Sequence, residues 1–142
     1  MLKIFILLSL LVAATLANLS VRPDQSVGVR GTLHCKGKPA SNILVKIYDH
    51  DTLTIDDKIA SGRTDGQGRF EISGTANEVS RITPKLNIYH DCDDWKPCQR
   101  KVSIYIPKSY VTYGGTAKKT YDAGTIELAG QFAGEERDCL HK

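Results

Sequence analysis

Hydrophobic and polar side chains alternate along much of the chain with a period of two. Val27, Val29, Leu33 and Cys35 are separated by small or polar residues, which places them on one face of an extended strand. The same alternation recurs in residues 43–47, 70–72, 86–88, 102–106 and 126–128, and residues 58–63 are predicted to form a short edge strand. About seven short strands without a helical period predict an all-β sandwich.

Turn-forming residues separate these predicted strands. Gly37 and Pro39 mark one turn, and residues 65–68 mark another. The chain has 142 residues, of which 12 are Gly and five are Pro, and this composition suits one β-rich domain better than a helical bundle. Its 19 Lys and Arg against 16 Asp and Glu give a net charge of +3, which is too small to indicate a nucleic-acid partner.

The first 17 residues have the layout of a secretory signal peptide. Lys3 precedes an apolar run over residues 4–14, and a segment of small residues ends at Ala17, where cleavage is expected. The alternative is a transmembrane anchor, which needs about 20 apolar residues. We therefore expect residues 1–17 to be removed and residues 18–142 to form one secreted, extracellular domain. Asn18 begins a glycosylation sequon, but cleavage would make it the N-terminus, where modification is not expected.

Four cysteines, Cys35, Cys92, Cys98 and Cys139, suit an oxidising compartment and predict two disulfides. Three pairings are possible. We favour Cys92–Cys98, because the short loop that contains Pro97 closes easily, and this choice leaves Cys35–Cys139.

A metal site is the alternative use of these cysteines. Its candidate ligands are His34, Cys35, His90, Cys92, Asp93, Cys98, Cys139 and His141. The spacing between Cys92 and Cys98 does not match a zinc motif, and thiols of secreted proteins tend to oxidise, so neither a metal nor another cofactor is expected.

Six stretches of sequence are distinctive. They are VRGTLHCKGKPASNILV at 29–45, IASGRTDGQGRF at 59–70, PKLNIYHDC at 84–92, KPCQR at 96–100, YDAGTI at 121–126 and RDC at 137–139. Together with the four cysteines they resemble the nematode transthyretin-like proteins, over nearly all of the chain after residue 17. The resemblance implies a transthyretin-like (prealbumin-like) sandwich of two roughly four-stranded sheets, stapled here by disulfides.

The transthyretin fold also hosts an enzyme, 5-hydroxyisourate hydrolase. Arg69 matches the position of that enzyme's arginine, but Arg30 and Gly31 stand where a histidine is expected, and the C-terminal Tyr-Arg-Gly-Ser is missing. With no other catalytic motif recognised, we expect no enzyme and no catalytic residue. Hormone transport, the activity of transthyretin, is disfavoured because Glu127 would set a carboxylate beside an apolar ligand.

Charge is distributed unevenly along the chain. The 27 residues from Trp95 to Tyr121 contain no Asp or Glu. Trp95 and six cations in this segment form the predicted anionic-surface site: Lys96, Arg100, Lys101, Lys108, Lys118 and Lys119. Residues 49–57, in contrast, are read as a polar loop with four aspartates, which lacks the EF-hand spacing for calcium. The pattern predicts a basic, aromatic side and an acidic side.

These observations predict a secreted binding or carrier protein. Its expected ligand is a small hydrophobic or lipid molecule or a cell-surface component. The alternative is an extracellular adaptor that bridges an anionic cell surface, of phospholipid or glycan, to a protein receptor, and a hydrolase ranks third. No nucleic-acid partner is expected, and formation of a homo-oligomer stays open.

Overall fold

A computed structural model describes residues 2–6 and 22–140 of the chain. Residues 2–6 form a short helix, and ten strands follow within the second range. No helix in these two ranges has the length and hydropathy that crossing a bilayer requires. The predicted cleavage point after Ala17, the sequon at Asn18 and the candidate ligand His141 lie outside the described residues.

The first sheet is built around β1 (Asp24–Cys35). β5 (Arg69–Asn77) pairs with β1 in the antiparallel sense, and β9 (Thr120–Glu127) pairs with it in parallel. The short strands β2 (Lys38–Pro39) and β8 (Thr112–Tyr113) also pair with β1. This sheet therefore has three long strands and two short ones.

The second sheet has the strand order β10–β7–β6–β3–β4 and is antiparallel throughout. Its strands are β3 (Leu44–Asp49), β4 (Asp57–Arg63), β6 (Pro84–His90), β7 (Gln99–Tyr105) and β10 (Glu136–Asp138). β4 lies at an edge, as the pattern of residues 58–63 predicted. Each sheet has five strands instead of four, because strands of two or three residues are too short to show a readable alternation.

Aliphatic side chains from both sheets form the core between them. Val29, Leu33, Ile47, Ile88 and Val102 have no accessible surface. Burying each such side chain stabilises the fold by roughly 1.5–3 kcal/mol relative to leaving it exposed. The alternation in the sequence thus identified the inward faces of the long strands, and the all-β sandwich is confirmed.

Two disulfides join Cys35 to Cys92 and Cys98 to Cys139. Two disulfides were predicted correctly, but the favoured pairing of Cys92 with Cys98 is wrong. Cys92 follows β6 and faces the end of β1 in the opposite sheet, whereas Cys98 precedes β7 and faces the segment after β10. The packing of the sheets therefore decided the pairing, and ease of closing a short loop did not. Since all four cysteines are oxidised, the alternative metal site has no thiolate ligands.

The sandwich has two distinct ends. The disulfide end carries both disulfides and the loops at 64–68, 91–98 and 129–135. The open end carries the loops at 50–56, 78–83, 106–111 and 114–119. The side-chain amide of Gln25 fixes this arrangement: it donates to Ser80 O at 2.8 Å and accepts from Ile82 N at 2.9 Å, so the starts of β1 and β6 lie together.

Candidate functional sites at the two ends of the sandwich

Two aliphatic side chains project from the loop at 50–56 into solvent at the open end. Leu53 is 92% exposed and Ile55 is 89% exposed. The loop that carries them is held in place, since Asp51 accepts hydrogen bonds from Leu53 N at 2.9 Å and Thr54 Oγ1 at 2.6 Å. Exposed apolar side chains grouped on one loop are typical of an interaction surface.

Three cations of the predicted anionic-surface set lie at the same end. Lys118 and Lys119 directly precede β9, and Lys108 begins a 3₁₀ turn after β7, where Arg81 donates to its carbonyl oxygen at 2.7 Å. The side-chain amines of the three lysines have no ion-pair partner within residues 22–140. The open end therefore combines exposed aliphatic side chains with three lysines that form no ion pair within the described residues.

The acidic loop occupies the open end as well, so the predicted basic and acidic sides are not separated. Asp56 pairs with Lys85 at 2.6 Å, and Asp49 accepts from Thr83 N at 2.8 Å. Burial opposes ionisation of Asp56, but its hydrogen bonds with Lys85 and the Asp51 backbone outweigh this and lower its pKa. Asp49, Asp51 and Asp56 are therefore engaged within the protein, whereas Asp57 begins β4 and is exposed.

The remaining members of the predicted set lie toward the disulfide end. Trp95 and Lys96 are exposed there, and Lys101 pairs with Glu136 at 2.9 Å on β10. Arg100 is buried, which corrects the prediction that it contacts an anionic surface. It lies on the inward face of β7 two residues before Val102, so its side chain points into the end of the core.

Arg100 instead joins the two loops of the disulfide end. Its guanidinium forms an ion pair with Glu135, donates to Cys92 O at 2.9 Å and donates to Gly130 O at 2.5 Å. The hydrogen bonds to Glu135 raise the pKa of Arg100, and those from Arg100 lower the pKa of Glu135. The loop at 129–135 is thereby fixed against the loop at 91–98.

A cleft of about 550 Å³ lies between these two loops. Trp95, which is 88% exposed, stands on one wall, and the half-buried Phe132 and exposed Gln131 stand on the other. Arg137 closes the wall with two hydrogen bonds to Asp94, at 2.5 and 2.9 Å. These bonds lower the pKa of Asp94, so its carboxylate stays ionised and paired. The cleft thus offers an aromatic platform beside neutralised polar groups.

His90 lies at the end of β6, within electrostatic range of Arg100 and Glu135, and is only 1% exposed. Its Nδ1 accepts from Cys92 N at 3.0 Å, which leaves the proton on Nε2, and Nε2 has no hydrogen-bond partner within the described part of the chain. Burial, followed by the nearby positive charge of Arg100, lowers the pKa of His90 to about 4. His90 is therefore neutral at pH 7 and belongs to the scaffold of the disulfide end.

The residues considered for hydrolase or hormone-binding activity lie on the outer face of the first sheet. Arg30 and Arg69 line a cavity of about 400 Å³ together with Asp65, Glu71 and Asp122. Arg30 pairs with Asp122 at 3.5 Å across the β1–β9 pair. Charged groups of both signs surround Arg69, and no histidine among residues 22–140 lines this cavity.

Glu127 on this face has a structural role. Its carboxylate accepts from the backbone N–H groups of Ala129 at 2.9 Å, Gly37 at 2.5 Å and Lys36 at 3.1 Å, and these hydrogen bonds lower its pKa. It ties the β1–β2 turn to the end of β9.

The candidate residues predicted from the sequence include Trp95 and the open-end lysines but not Leu53, Ile55, Phe132 and Gln131. Leu53 and Ile55 carried a usable signal, since they are the two large aliphatic residues in an otherwise polar loop. Phe132 and Gln131 reach the cleft only through the pairing of Arg100 with Glu135, which no local pattern reveals.

Comparison with known proteins identifies relatives over nearly the whole length of the chain. A family model described as "TTR-52: Transthyretin-like family" matches residues 30–107. Transthyretin-like protein 5 of Caenorhabditis elegans is 57% identical over 98% of this chain and 99% of its own length. Transthyretin-like protein 33 is 52% identical over 83% and 84%, and transthyretin-like protein 2 is 45% identical over 96% and 98%, both from the same organism. With a family match over more than half of the chain and relatives of this identity, the chain belongs to the transthyretin-like family.

Proposed function

We propose that this protein is a secreted, non-enzymatic binding protein that attaches to an anionic phospholipid membrane through its open end. The observation that carries this proposal is the pair of exposed aliphatic side chains, Leu53 and Ile55, at the same end of the sandwich as three lysines that form no ion pair within residues 22–140. Secretion is supported by the apolar leader sequence and the two disulfides.

The expected free energies of these contacts are sufficient for reversible attachment to a membrane. Moving Leu53 and Ile55 from water into the acyl region contributes roughly 1.5–3 kcal/mol for each side chain. Lys108, Lys118 and Lys119 add roughly 1 kcal/mol each near an anionic leaflet, before screening by salt. The sum is opposed by the cost of orienting the protein at the surface, so binding should be weak and should fall as salt is raised.

An enclosed hydrophobic ligand is less well supported. Aliphatic side chains such as Leu33, Ile47 and Ile88 already occupy the space between the sheets. The clefts beside Trp95 and beside Arg69 are lined by charged groups that include ion pairs, and an apolar ligand would have to desolvate those charges. Binding to a membrane surface requires neither an empty space between the sheets nor desolvation of the charged groups in the clefts.

Vesicle sedimentation tests the proposal. The oxidised protein should bind vesicles of phosphatidylcholine mixed with phosphatidylglycerol, and binding should decrease with salt and be much weaker on phosphatidylcholine alone. The double variant Lys118→Gln/Lys119→Gln should bind roughly tenfold more weakly or worse. Its charge-matched control, Lys38→Gln/Lys96→Gln, changes two exposed lysines at the disulfide end and should bind as the parent does.

The aliphatic contribution is measured separately. Leu53→Ser/Ile55→Ser should lose most binding even at low salt, whereas Leu140→Ser, an exposed leucine near the Cys98–Cys139 disulfide, should not. The proposal fails if the parent protein does not sediment with anionic vesicles, or if the control variants weaken binding as much as the open-end variants do.

A further inference from the structure

We infer that the cleft between the loops at 91–98 and 129–135 is a carbohydrate-binding site, in which a sugar ring packs on Trp95. This site lies at the end of the sandwich opposite Leu53 and Lys118 and is independent of the proposed membrane contact. Three features of the cleft carry the inference: its rigidity, its exposed indole and the balance of charge on its walls.

Both walls of the cleft are fixed before any ligand arrives. Disulfides at Cys92 and Cys98 anchor the two ends of the loop that bears Trp95. Arg100 ties the opposite loop to it through Glu135 and Gly130 O. A preorganised site avoids the entropic cost of ordering its loops on binding. Its volume of about 550 Å³ lies within the range of small-ligand sites, roughly 300–1,000 Å³.

Trp95 supplies a flat apolar surface at the mouth of the cleft. At 88% exposure the indole has almost no cover from the protein itself, although it stands on a loop held by two disulfides. An aromatic ring held in water on a rigid support is typical of a binding platform. The C–H groups on one face of a pyranose ring form a matching apolar surface.

Paired charges make up the polar part of the cleft. Arg137 is bonded to Asp94, Arg100 to Glu135, and Lys36 pairs with Asp93 at 3.0 Å. Lys96 also lines the cleft and is the lining cation that forms no ion pair within the described residues. The other charges are already neutralised, so a strongly charged ligand would gain little from them, and a fully apolar ligand would strip water from them. Sugar hydroxyls both donate and accept hydrogen bonds, so they can use the free lone pairs of these carboxylates and the Gln131 amide without breaking the pairs.

Intrinsic fluorescence tests the inference directly, because Trp95 is the single tryptophan in the chain. Neutral oligosaccharides of hexose and N-acetylhexosamine units, added at millimolar concentration, should shift the emission of the protein to shorter wavelength in a saturable manner. Calorimetry should show that Trp95→Ala lowers the affinity at least tenfold and Gln131→Ala severalfold. Tyr113→Ala, which removes an exposed aromatic side chain at the open end, should leave the affinity unchanged.

Other outcomes overturn the inference. It fails if no oligosaccharide of the panel shifts the emission, if Tyr113→Ala weakens binding as much as Trp95→Ala does, or if tetramethylammonium produces the saturable shift instead, which would identify a cation site. Vesicle sedimentation of Trp95→Ala separates the two proposals. It should equal that of the parent protein, and Leu53→Ser/Ile55→Ser should retain the oligosaccharide-induced shift.

Discussion

The guanidinium of Arg100 and the carboxylate of Glu135 form an ion pair in which the two side chains are only 8% and 14% exposed. The same guanidinium also donates to the carbonyl oxygens of Cys92 and Gly130. The guanidinium is therefore paired within the protein, and Arg100 connects the strand β7 with both loops of the disulfide end. The pair is a structural support for the cleft beside Trp95.

Replacing Arg100 by Met should destabilise the protein by about 3–5 kcal/mol, because Glu135 would keep a buried charge without a partner. Arg30→Ala breaks the exposed pair with Asp122 and should cost about 1 kcal/mol or less. Urea unfolding of both variants gives these differences. The double variant Arg100→Met/Glu135→Gln should recover part of the loss. Equal destabilisation by Arg100→Met and Arg30→Ala would contradict a buried, connecting role for Arg100.

Peptide mapping without reductant should recover Cys35 linked to Cys92 and Cys98 linked to Cys139. The crosslinks span 57 and 41 residues of sequence, so on the chain-entropy model the loss of either should cost roughly 4 kcal/mol. Thermal unfolding of Cys98→Ser/Cys139→Ser and of Cys35→Ser/Cys92→Ser measures this cost. A peptide that contains an internal Cys92–Cys98 bond would show that the pairing described here is incorrect.

Stability should decrease as the pH is lowered from about 6.5 toward 4, because of His90. Burial and Arg100 lower its pKa in the folded state to about 4, whereas the unfolded chain binds the proton near pH 6.5. Within that window the unfolded state holds more protons than the folded state, so acid favours unfolding, by on the order of 2 kcal/mol. Denaturant unfolding at several pH values measures the slope.

His90→Gln should remove most of this slope, whereas His34→Gln, which changes a half-buried histidine on β1, should retain it. An unchanged pH dependence in His90→Gln would assign the effect to other groups. The carboxylates with lowered pKa values, such as Glu135 and Asp94, lose their stabilising contribution at lower pH, below the window of His90.

Gly68 should tolerate substitution far less well than Gly66, its neighbour in the same turn. Gly68 has a φ of 77°, and a Cβ atom there would lie 2.4 Å from Leu33 O, whereas a Cβ atom at Gly66 meets nothing within 4 Å. Gly68→Ala should therefore destabilise the protein by roughly 1–3 kcal/mol, and Gly66→Ala should be close to neutral. Melting temperatures of the two variants compare them. Similar values would show that the turn adapts to a side chain at Gly68.

Local patterns predicted the fold well because the long strands bury one face each. The alternation at Val27 and Val29, and again at Val102 and Ile104, requires only that neighbouring side chains point to opposite faces. The same argument located β4 as an edge strand. Strands such as β2 and β10 could not be predicted from alternation, because they have only two or three residues. They pair only where a longer neighbouring strand holds them in place.

Long-range contacts limited what the sequence could predict about the sites. Arg100 looked like one member of a basic segment, yet its role depends on Glu135, which lies 35 residues away. Lys118 and Trp95 belong to the same acid-free stretch of sequence but lie at opposite ends of the sandwich, because β7 and the return to β9 separate them. Which charged residues share a surface can therefore be predicted only when the topology and register of the strands are known.

The parallel alignment of β9 with β1 also affects how the protein is made. Arg30 and Asp122, which face each other across this pair, are 92 residues apart, and the chain between them contains β2 to β8. One side of the first strand thus stays without most of its hydrogen-bonding partners until β9 has been synthesised, a high-contact-order topology that folds slowly. A nascent or truncated chain without β9 would present that side for pairing with other chains and would be prone to aggregate.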